Sequence, residues 1–269
     1  MIRSPAVAGQ FYPGSEASLV KTLSALVPVI QPEERKKALA VISPHAGYIY
    51  SGGVAGETFA RVKVPEIVVI LGPNHTGHGA PIALMAQGSW DMPMGEVAIN
   101  IELAAEIARN SPLVEIDEIA HRFEHSLEVQ VPFLQYIQKN LSIVPIVISH
   151  VPYETCIAVG QGLAAAIKNY GKQVLIVAST DMTHYESRQA ASAKDSLALE
   201  RIQGLDPEGL YKTVIGKRIS MCGIMPATVA LIAALALGAK KAELVRYTDS
   251  GETSGDTSHV VGYAGLVIT

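Results

Sequence analysis

Six uninterrupted apolar, β-rich runs constrain the fold of this 269-residue chain more than any other feature. These runs do not alternate between apolar and polar residues, which predicts strands that are covered on both faces. Helical patterns lie between them, and a chain that repeats strand and helix favours βαβ units with a mainly parallel sheet. The predicted strands cover residues 38–43, 66–71, 141–149, 173–179, 242–248 and 260–267.

The segments between the strands complete the predicted architecture. Residues 82–100 are predicted to form β-structure that passes through a turn. Residues 249–258 are predicted to form a polar loop, either a surface connection or an active-site lid. No internal repeat or charged linker marks a boundary, so we predict one α/β domain over residues 1–269, built as three α/β/α layers. The predicted helices cover residues 53–63, 101–110, 125–139, 155–170, 188–203, 207–215 and 226–238.

Composition excludes several classes of protein. Hydrophobic residues make up 49% of the chain, which is enough apolar surface to fold and excludes disorder. The formal charge of −4 provides no positive field for nucleic acid or anionic lipid. The longest apolar stretch, residues 227–239, is too short to span a bilayer. Glycine and prolines interrupt the first 14 residues where a secretory signal needs an apolar run, so we expect a cytoplasmic location.

Four of the eight histidines follow predicted strands of the parallel sheet. The carboxyl ends of parallel strands meet at one edge, where open α/β sheets bind their ligands. One histidine at a strand end is most often a hydrogen-bonded structural residue. Imidazole is also the commonest transition-metal ligand and the usual base near neutral pH, so several at one edge favour a metal site with a general base. The four are His45, His75, His150 and His184.

Cys222 is the candidate for a third ligand. It lies just before a helix that we expect to begin near Pro226, and a helix N-terminus lowers the pKa of a thiol. The alternative for Cys222 is a small buried hydrophobe, which is also our interpretation of Cys156, since two cysteines are too few for a disulfide framework. Asp181 lies three residues before His184, where its carboxylate either orients that imidazole as a base or caps the next helix.

Residues 121–125 spell H-x-x-E-H, the pattern of inverted zinc peptidases. On a helix, His121 and His125 would share one face and Glu124 would act as the base. The alternative is that Glu124 and His125 lean into the strand-edge pocket and support its ligands, with Glu128 further along the same helix.

Two further positions lie beside predicted ligands in the sequence. Tyr48 could donate to a substrate oxygen, although an aromatic core position suits it equally. We group Tyr48 and Asn74 with Glu124 and His125 as expected contacts of the substrate or of the ligands. The loops that bind nucleoside triphosphates or dinucleotides, and the nucleophile elbow of α/β-hydrolases, are absent from the sequence.

Six separated motifs follow one another along nearly the whole chain. They are PHAGY at 44–48, GPNHTG at 72–77, EHSLEVQVPFLQ at 124–135, STDMTHY at 179–185, MCGIMP at 221–226 and GYAGLV at 262–267. Together they closely resemble the MEMO family, also called AmmeMemoRadiSam system protein B. That family is similar in fold to class III extradiol dioxygenases of the LigB type, which are non-haem iron enzymes that cleave catechol rings. The resemblance implies a LigB-like α/β/α fold with a metal pocket at one edge of the sheet.

The resemblance also implies roles for particular residues. His45 and His75 match the two histidine ligands, Cys222 matches the third ligand position, and His184 matches the acid or base, with Asp181 in the same motif. The dioxygenases have a carboxylate where this chain has a thiol. A thiolate is softer and shifts the preference towards copper or zinc, so we expect Fe(II) or copper, with zinc as a third option.

The reaction is not inherited with the fold. We predict a metal-dependent redox or dioxygenase-like enzyme with an unidentified substrate. The alternative is a non-catalytic module that binds a peptide, metabolite or metal in the same pocket. The family name implies a pathway link to AMMECR-like and radical-SAM proteins, and we expect no nucleic-acid or membrane partner. The high apolar fraction suits either a homo-oligomer or a large α/β monomer.

Overall fold

A computed structural model describes residues 1–269, and one mixed sheet takes up strands from both ends of the chain. The strands are β1 (Ile2–Arg3), β2 (Ala40–Ser43), β3 (Ile67–Pro73), β4 (Ile82–Leu84), β5 (Ser89–Trp90), β6 (Val97–Ile99), β7 (Glu115–Ile116), β8 (Ser142–Ile148), β9 (Leu175–Ser179), β10 (His184–Glu186), β11 (Ala242–Asp249) and β12 (Val260–Ile268). The four strands in the middle run parallel, in the order β8, β3, β9, β2. Strand β12 runs antiparallel to β2, and β11 runs antiparallel to β12. All six predicted strands are confirmed, as is the β character of residues 82–100.

Helices cover both faces of the sheet. They are α1 (Glu16–Leu26), α2 (Tyr48–Ala60), α3 (Ile101–Asn110), α4 (Val131–Ile137), α5 (Tyr153–Tyr170), α6 (Arg188–Gln203), α7 (Pro207–Gly216), α8 (Ile224–Ala236) and α9 (Gly251–Ser254). Successive strand residues point to opposite faces, so Val69 and Leu71 join one hydrophobic cluster whereas Val68 and Ile70 join another. Helices α3, α5, α6, α7 and α8 contribute to the first cluster, and α1, α2 and α4 to the second. The predicted three-layer α/β/α architecture is therefore confirmed.

Two helices have the predicted bounds because a side chain marks where each begins. The side chains of Asn100 and Ser187 accept hydrogen bonds from the amides of Leu103 and Ala190 in the first turns of α3 and α6. Such N-caps satisfy amides that have no partner within the helix, so they localise a helix start.

Helix α2 begins at Tyr48 rather than at residue 53. The pair Gly52 and Gly53, which looks like a helix start in the sequence, lies inside the helix. Further along the same helix, Gly56 is needed for packing, because a Cβ at this position would lie 2.1 Å from the carbonyl oxygen of Leu26. The close approach of α2 to α1 therefore overrides the weak helix propensity of glycine.

The helix predicted over residues 125–139 is wrong in its first half. Only α4 is α-helical, preceded by a 3-10 turn over Glu128–Gln130. Pro132 lies in the first turn of α4, where its missing N–H costs nothing. Upstream, the amide of Ser126 donates to the Glu124 carboxylate at 2.9 Å, a bond that competes with helix formation.

Three smaller differences remain. Helix α1 was not predicted, α8 begins at Ile224, close to the expected start near Pro226, and the predicted loop over residues 249–258 contains the one-turn helix α9. Asp249 anchors that loop through two hydrogen bonds of 2.7 Å from Arg188. None of the helices combines the length and the apolar character that crossing a bilayer requires.

The parallel strands position the candidate site. His45 follows the end of β2, His75 follows β3, and Asp181 follows β9. Since these strands are parallel neighbours, the three residues leave the sheet at the same edge.

Candidate metal centre

Three histidines converge at this edge of the sheet. One ring nitrogen from each of His45, His75 and His125 lies within 4.8 Å of the others. The rings of His75 and His125 stack with centroids 4.6 Å apart, and His45 stands edge-on to His75 at 5.2 Å. Imidazole nitrogens at such spacing form a donor set that can hold a metal ion.

A buried carboxylate holds His75. Oε2 of Glu124 accepts the backbone N–H of His75 at 2.6 Å, and its Oε1 lies 2.9 Å from the Nδ1 of that ring. Burial alone would raise the pKa of Glu124, but hydrogen bonds from His75 and Ser126 outweigh it and lower the pKa to about 2. Because the ionised carboxylate can only accept, Nδ1 of His75 carries the proton and its Nε2 keeps a free lone pair. That is the tautomer a metal ligand needs.

His125 completes the group from the segment before α4. Its Nδ1 lies 3.6 Å from Oε1 of Glu124, and its ring centroid lies 4.9 Å from that of Phe11. Burial and the nearby His75 lower the pKa of His125, and together they outweigh the charge of Glu124, which raises it. A neutral imidazole at neutral pH is a competent ligand.

His45 is the most enclosed of the three, at 2% exposure. Its backbone N–H donates to Oδ1 of Asp181 at 2.8 Å, its Nδ1 lies 2.9 Å from Oγ of Ser179, and its Nε2 lies 3.3 Å from Sγ of Cys222. Burial, reinforced by the neighbouring histidines, holds the pKa of His45 well below its usual value. This ring is therefore neutral as well.

Cys222 contacts His45 but does not belong to the group of donors within 4.8 Å of one another. Its sulfur accepts the backbone N–H of Asp181 at 3.2 Å. Loss of solvent and the nearby Asp181 carboxylate raise the pKa of the Cys222 thiol, so the lowering that we expected from a helix N-terminus is wrong. The physical reason is that desolvation and a like charge outweigh the dipole of α8. The third member of the group of donors around His75 is His125.

Asp181 and His184 have separate partners. Asp181 binds the backbone of His45, and burial raises the pKa of Asp181 to about 6. It does not cap the following helix, because Ser187 does. The ring of His184 is oriented by Ser220 instead of Asp181: its Nδ1 lies 2.8 Å from the carbonyl oxygen of Ser220. A carbonyl only accepts, so Nδ1 is the protonated nitrogen and Nε2 of His184 is free to act as a base.

The zinc-peptidase interpretation of the H-x-x-E-H pattern is wrong. His121 ends a 3-10 turn, residues 122–127 are not helical, and the ring of His121 is buried with Nε2 3.0 Å from the carbonyl oxygen of Ala83. His121 and His125 therefore do not share a helix face. His150 is exposed after β8 and does not belong to the group of donors either.

Tyr48 and Asn74 use their polar groups locally. The ring of Tyr48 is buried against Phe133, and its hydroxyl donates to the carbonyl oxygen of Val129 at 2.8 Å. This is the core position that its aromatic ring also suited. The side chain of Asn74 accepts the amide of Gly77 and donates to the carbonyl oxygen of His78, both at 2.9 Å, so it shapes the turn that carries His75.

Fold and site together define a three-layer α/β/α protein with a histidine cluster at the carboxyl edge of its parallel strands. Residues 3–267 match the family model described as Memo-like protein. The chain is 43% identical over 267 residues to a MEMO1 family protein of Aquifex aeolicus, covering 99% of this chain and 98% of that one. It is 41% identical over 278 residues to a MEMO1 family protein of Methanothermobacter thermautotrophicus, covering 99% and 100%. The chain belongs to the MEMO family.

A solved structure shares the fold. The crystal structure of the uncharacterized protein JW3007 from Escherichia coli K12 aligns with a TM-score of 0.59 and 13% sequence identity, covering 86% of this chain and 100% of that one. At this identity the likeness concerns the fold alone.

Several residues of the site were missed by sequence reasoning. Ser179 and Ser220 hold the rings of His45 and His184, and Phe11 borders His125. Only Ser179 carries a local signal, since it opens the STDMTHY motif at the end of a predicted strand. Phe11 and Ser220 come from segments remote in sequence and reach the site through tertiary packing.

Proposed function

We propose that this protein is a cytoplasmic, metal-dependent redox enzyme of the dioxygenase-like kind. The observation that carries the proposal is the convergence of His45, His75 and His125 within 4.8 Å, with Nδ1 of His75 committed to Glu124. His45 is buried, whereas His75 is exposed and His125 is half-buried, so the group of donors is open to solvent on one side and an ion can reach it. A metal ion is the ligand that suits such a donor set.

We propose His45 and His75 as two of the metal ligands, and either His125 or Cys222 as the third. Imidazole suits iron, copper and zinc, and a thiolate from Cys222 would favour copper or zinc. Fe(II) and copper are the metals that we propose, with zinc as a third option. When bound, any of these ions would supply Lewis-acid chemistry at the site, and iron or copper would also supply one-electron chemistry.

His184 is the proposed base. Its Nδ1–H donates to the carbonyl of Ser220 at 2.8 Å, which fixes the ring and leaves Nε2 to take a proton from a substrate hydroxyl. A phenolic hydroxyl is the substrate group that the likeness to extradiol dioxygenases implies. Asp181 supports the centre indirectly, because its carboxylate holds the backbone of His45 at 2.8 Å.

A second candidate function is a binding module without turnover. It is favoured by Cys222, a thiol where the dioxygenases have a carboxylate, whose pKa is raised by desolvation and by Asp181. In this version the pocket binds a metal, peptide or metabolite, and His184 has no proton to take.

Metal analysis of anaerobically purified protein tests the metal centre. We expect about one ion per chain in the wild type and its loss in His45→Ala. Loss in His125→Ala with retention in Cys222→Ala would assign the third ligand to the imidazole, and the reverse would assign it to sulfur. Cys156→Ala is the matched control, because Cys156 is buried with its sulfur 3.8 Å from that of Met225 and is not among the donors of the centre. Equal metal content in all variants would overturn the proposal.

Oxygen consumption separates the enzyme from the binding module. We expect steady consumption with at least one member of a panel of catechols, lost in His184→Gln, while the metal content of His184→Gln stays that of the wild type. A metal-loaded wild type that consumes no oxygen with any member would favour the binding module.

A further inference from the structure

A buried hydroxyl lies beneath the centre, at the end of strand β9. Oγ of Ser179 has three polar neighbours: the carbonyl oxygen of Ser126 at 2.6 Å, Nε2 of Gln130 at 2.8 Å and Nδ1 of His45 at 2.9 Å. Ser179 and Gln130 are both fully buried, so no solvent competes for these contacts.

The direction of each hydrogen bond follows from what each neighbour can do. The carbonyl of Ser126 can only accept, so the single hydroxyl hydrogen of Ser179 points to it. The amide nitrogen of Gln130 can only donate. Oγ of Ser179 has therefore no hydrogen left for His45, and a close contact of 2.9 Å requires that Nδ1 of His45 donates to it.

The orientation of the Gln130 amide is decided in the same way. Its Nε2 also lies 2.9 Å from the carbonyl oxygen of Pro44. Turning the amide over would place Oε1 against that carbonyl, where two acceptors repel, and would leave Ser179 without this donor. The observed orientation ties the residues just before His45 to the residues just before Asp181.

We propose that Gln130 and Ser179 form a positioning relay that selects the Nδ1–H tautomer of His45. The relay leaves Nε2 of His45 unprotonated, with its lone pair available 3.3 Å from Sγ of Cys222. This inference rests on the proposed function for its purpose, since a free Nε2 is the form that a metal ligand needs. His75 reaches the same tautomer through a carboxylate, whereas His45 reaches it through a neutral hydroxyl whose direction is set by a third residue.

The fold provides a matched control for this relay. Ser43 is the register partner of Ser179 on the neighbouring parallel strand, and both serines are fully buried. The hydroxyl of Ser43 has no hydrogen-bond partner, in contrast to that of Ser179. Ser43→Ala and Ser179→Ala therefore remove the same atom from equivalent places, and only one of them touches His45.

The tautomer is measured first, in metal-free protein. Long-range ¹H–¹⁵N correlation spectra of ¹⁵N-histidine-labelled protein distinguish a protonated Nδ1 from a protonated Nε2, and the signals of His45 are assigned by their loss in His45→Gln. We expect Nδ1–H in the wild type and in Ser43→Ala, and a shift towards Nε2–H in Ser179→Ala. A wild-type His45 protonated at Nε2 would overturn the inference, and it would do so even if Ser179→Ala failed to fold.

Metal affinity is measured second, by titration of the metal-free proteins with Fe(II) and, separately, with Zn(II). We expect the dissociation constant to rise about 10–100-fold in Ser179→Ala, less in Gln130→Met, and to stay within about twofold in Ser43→Ala. Equal effects of Ser43→Ala and Ser179→Ala would mean a packing defect and would overturn the relay. A wild type that binds neither ion would overturn the proposed function. The tautomer spectra would still show whether Ser179 and Gln130 select the Nδ1–H form of His45.

Discussion

Two polar clusters in this protein differ in burial and in how many of their polar atoms have a hydrogen-bond partner. One is the N-terminal anchor, which we define as Arg3, Tyr12 and Glu128. The other is the histidine centre, defined as His45, His75 and His125. The anchor matches its donors to acceptors, while in the centre Nε2 of His75 and the ring of His125 make no hydrogen bond within the chain.

The anchor uses all four lone-pair directions of one carboxylate. Glu128 accepts the amides of Ala6 and Val7, the hydroxyl of Tyr12 and a guanidinium nitrogen of Arg3, at 2.7–3.0 Å. Arg3 donates its remaining nitrogens to backbone carbonyls. Nothing in the anchor is left to bind a ligand, so its role is to hold the segment that carries Glu124 and His125.

The contrast teaches how to separate structure from function among buried polar groups. Buried groups whose hydrogen bonds are satisfied stabilise a fold or cost little, whereas several imidazole nitrogens that meet without a shared partner suit a metal ion. Loss of the anchor should therefore be visible in stability, and loss of the centre in metal binding.

The largest expected effect is on the anchor. Glu128→Ala leaves the guanidinium of Arg3 buried without its counter-charge, and we expect the free energy of unfolding to fall by about 3–5 kcal/mol. Guanidinium chloride denaturation measures it. The exposed pair of Glu208 and Lys212 is the control, since Glu208→Ala should give no resolvable change. A loss below about 1 kcal/mol in Glu128→Ala would remove the distinction between the two clusters.

The second prediction concerns acid. Burial lowers the pKa of His121 from 6.5 to about 4. Between these pH values the imidazole is protonated in the unfolded chain but not in the folded protein. Protonation of His121 in the unfolded chain therefore lowers the free energy of unfolding by about 3 kcal/mol as the pH falls from 6.5 to about 4. Above pH 6.5 the ring is neutral in both states and this loss is absent. Denaturation of metal-free protein from pH 8 to pH 4 should show a flatter profile in His121→Gln. Parallel profiles of variant and wild type would contradict it.

The third prediction tests whether Glu124 belongs to the centre rather than to the anchor beside it. Glu124→Gln keeps the size of the side chain but removes the charge that orients His75, so metal affinity should fall about 10–100-fold. Isothermal titration measures it. Glu186→Gln, which alters a carboxylate paired with Lys194, is the control. An affinity within about twofold of the wild type would mean that Glu124 serves only the fold.

The smallest effect is expected at Tyr48. Tyr48→Phe removes one hydrogen bond to the carbonyl of Val129, and we expect a loss of about 1 kcal/mol in the free energy of unfolding. Metal content should not change, because the hydroxyl belongs to the core. A variant with wild-type stability and reduced metal would place Tyr48 in the centre after all.

The strands were predictable because their signal is local. Runs such as residues 66–71 and 173–179 are apolar on both faces and short, which is typical of buried strands in a parallel sheet. The two strand-end histidines His45 and His75 followed directly, since parallel strands deliver their carboxyl ends to one edge.

His125 was assigned to a helix because its apolar spacing is helical and because it ends an H-x-x-E-H pattern. The deciding contacts are distant in sequence: the backbone of His75 and the guanidinium of Arg3 both bind Glu124, through its carboxylate and its carbonyl. Local spacing carries no trace of these partners. The same holds for Ser220, which takes the role at His184 that proximity in sequence suggested for Asp181.

By itself, the order of apolar runs and polar strand ends determined the layered sheet, the edge that carries the chemistry and two of its histidines, because each depends on the periodicity of a short segment. Tertiary structure alone decided that His125 lies beside them, which nitrogen of His45 and of His75 carries hydrogen, and that His121 is a core residue. Those choices depend on hydrogen bonds between segments remote in the chain, and their energies are settled only when burial removes water as the competing partner.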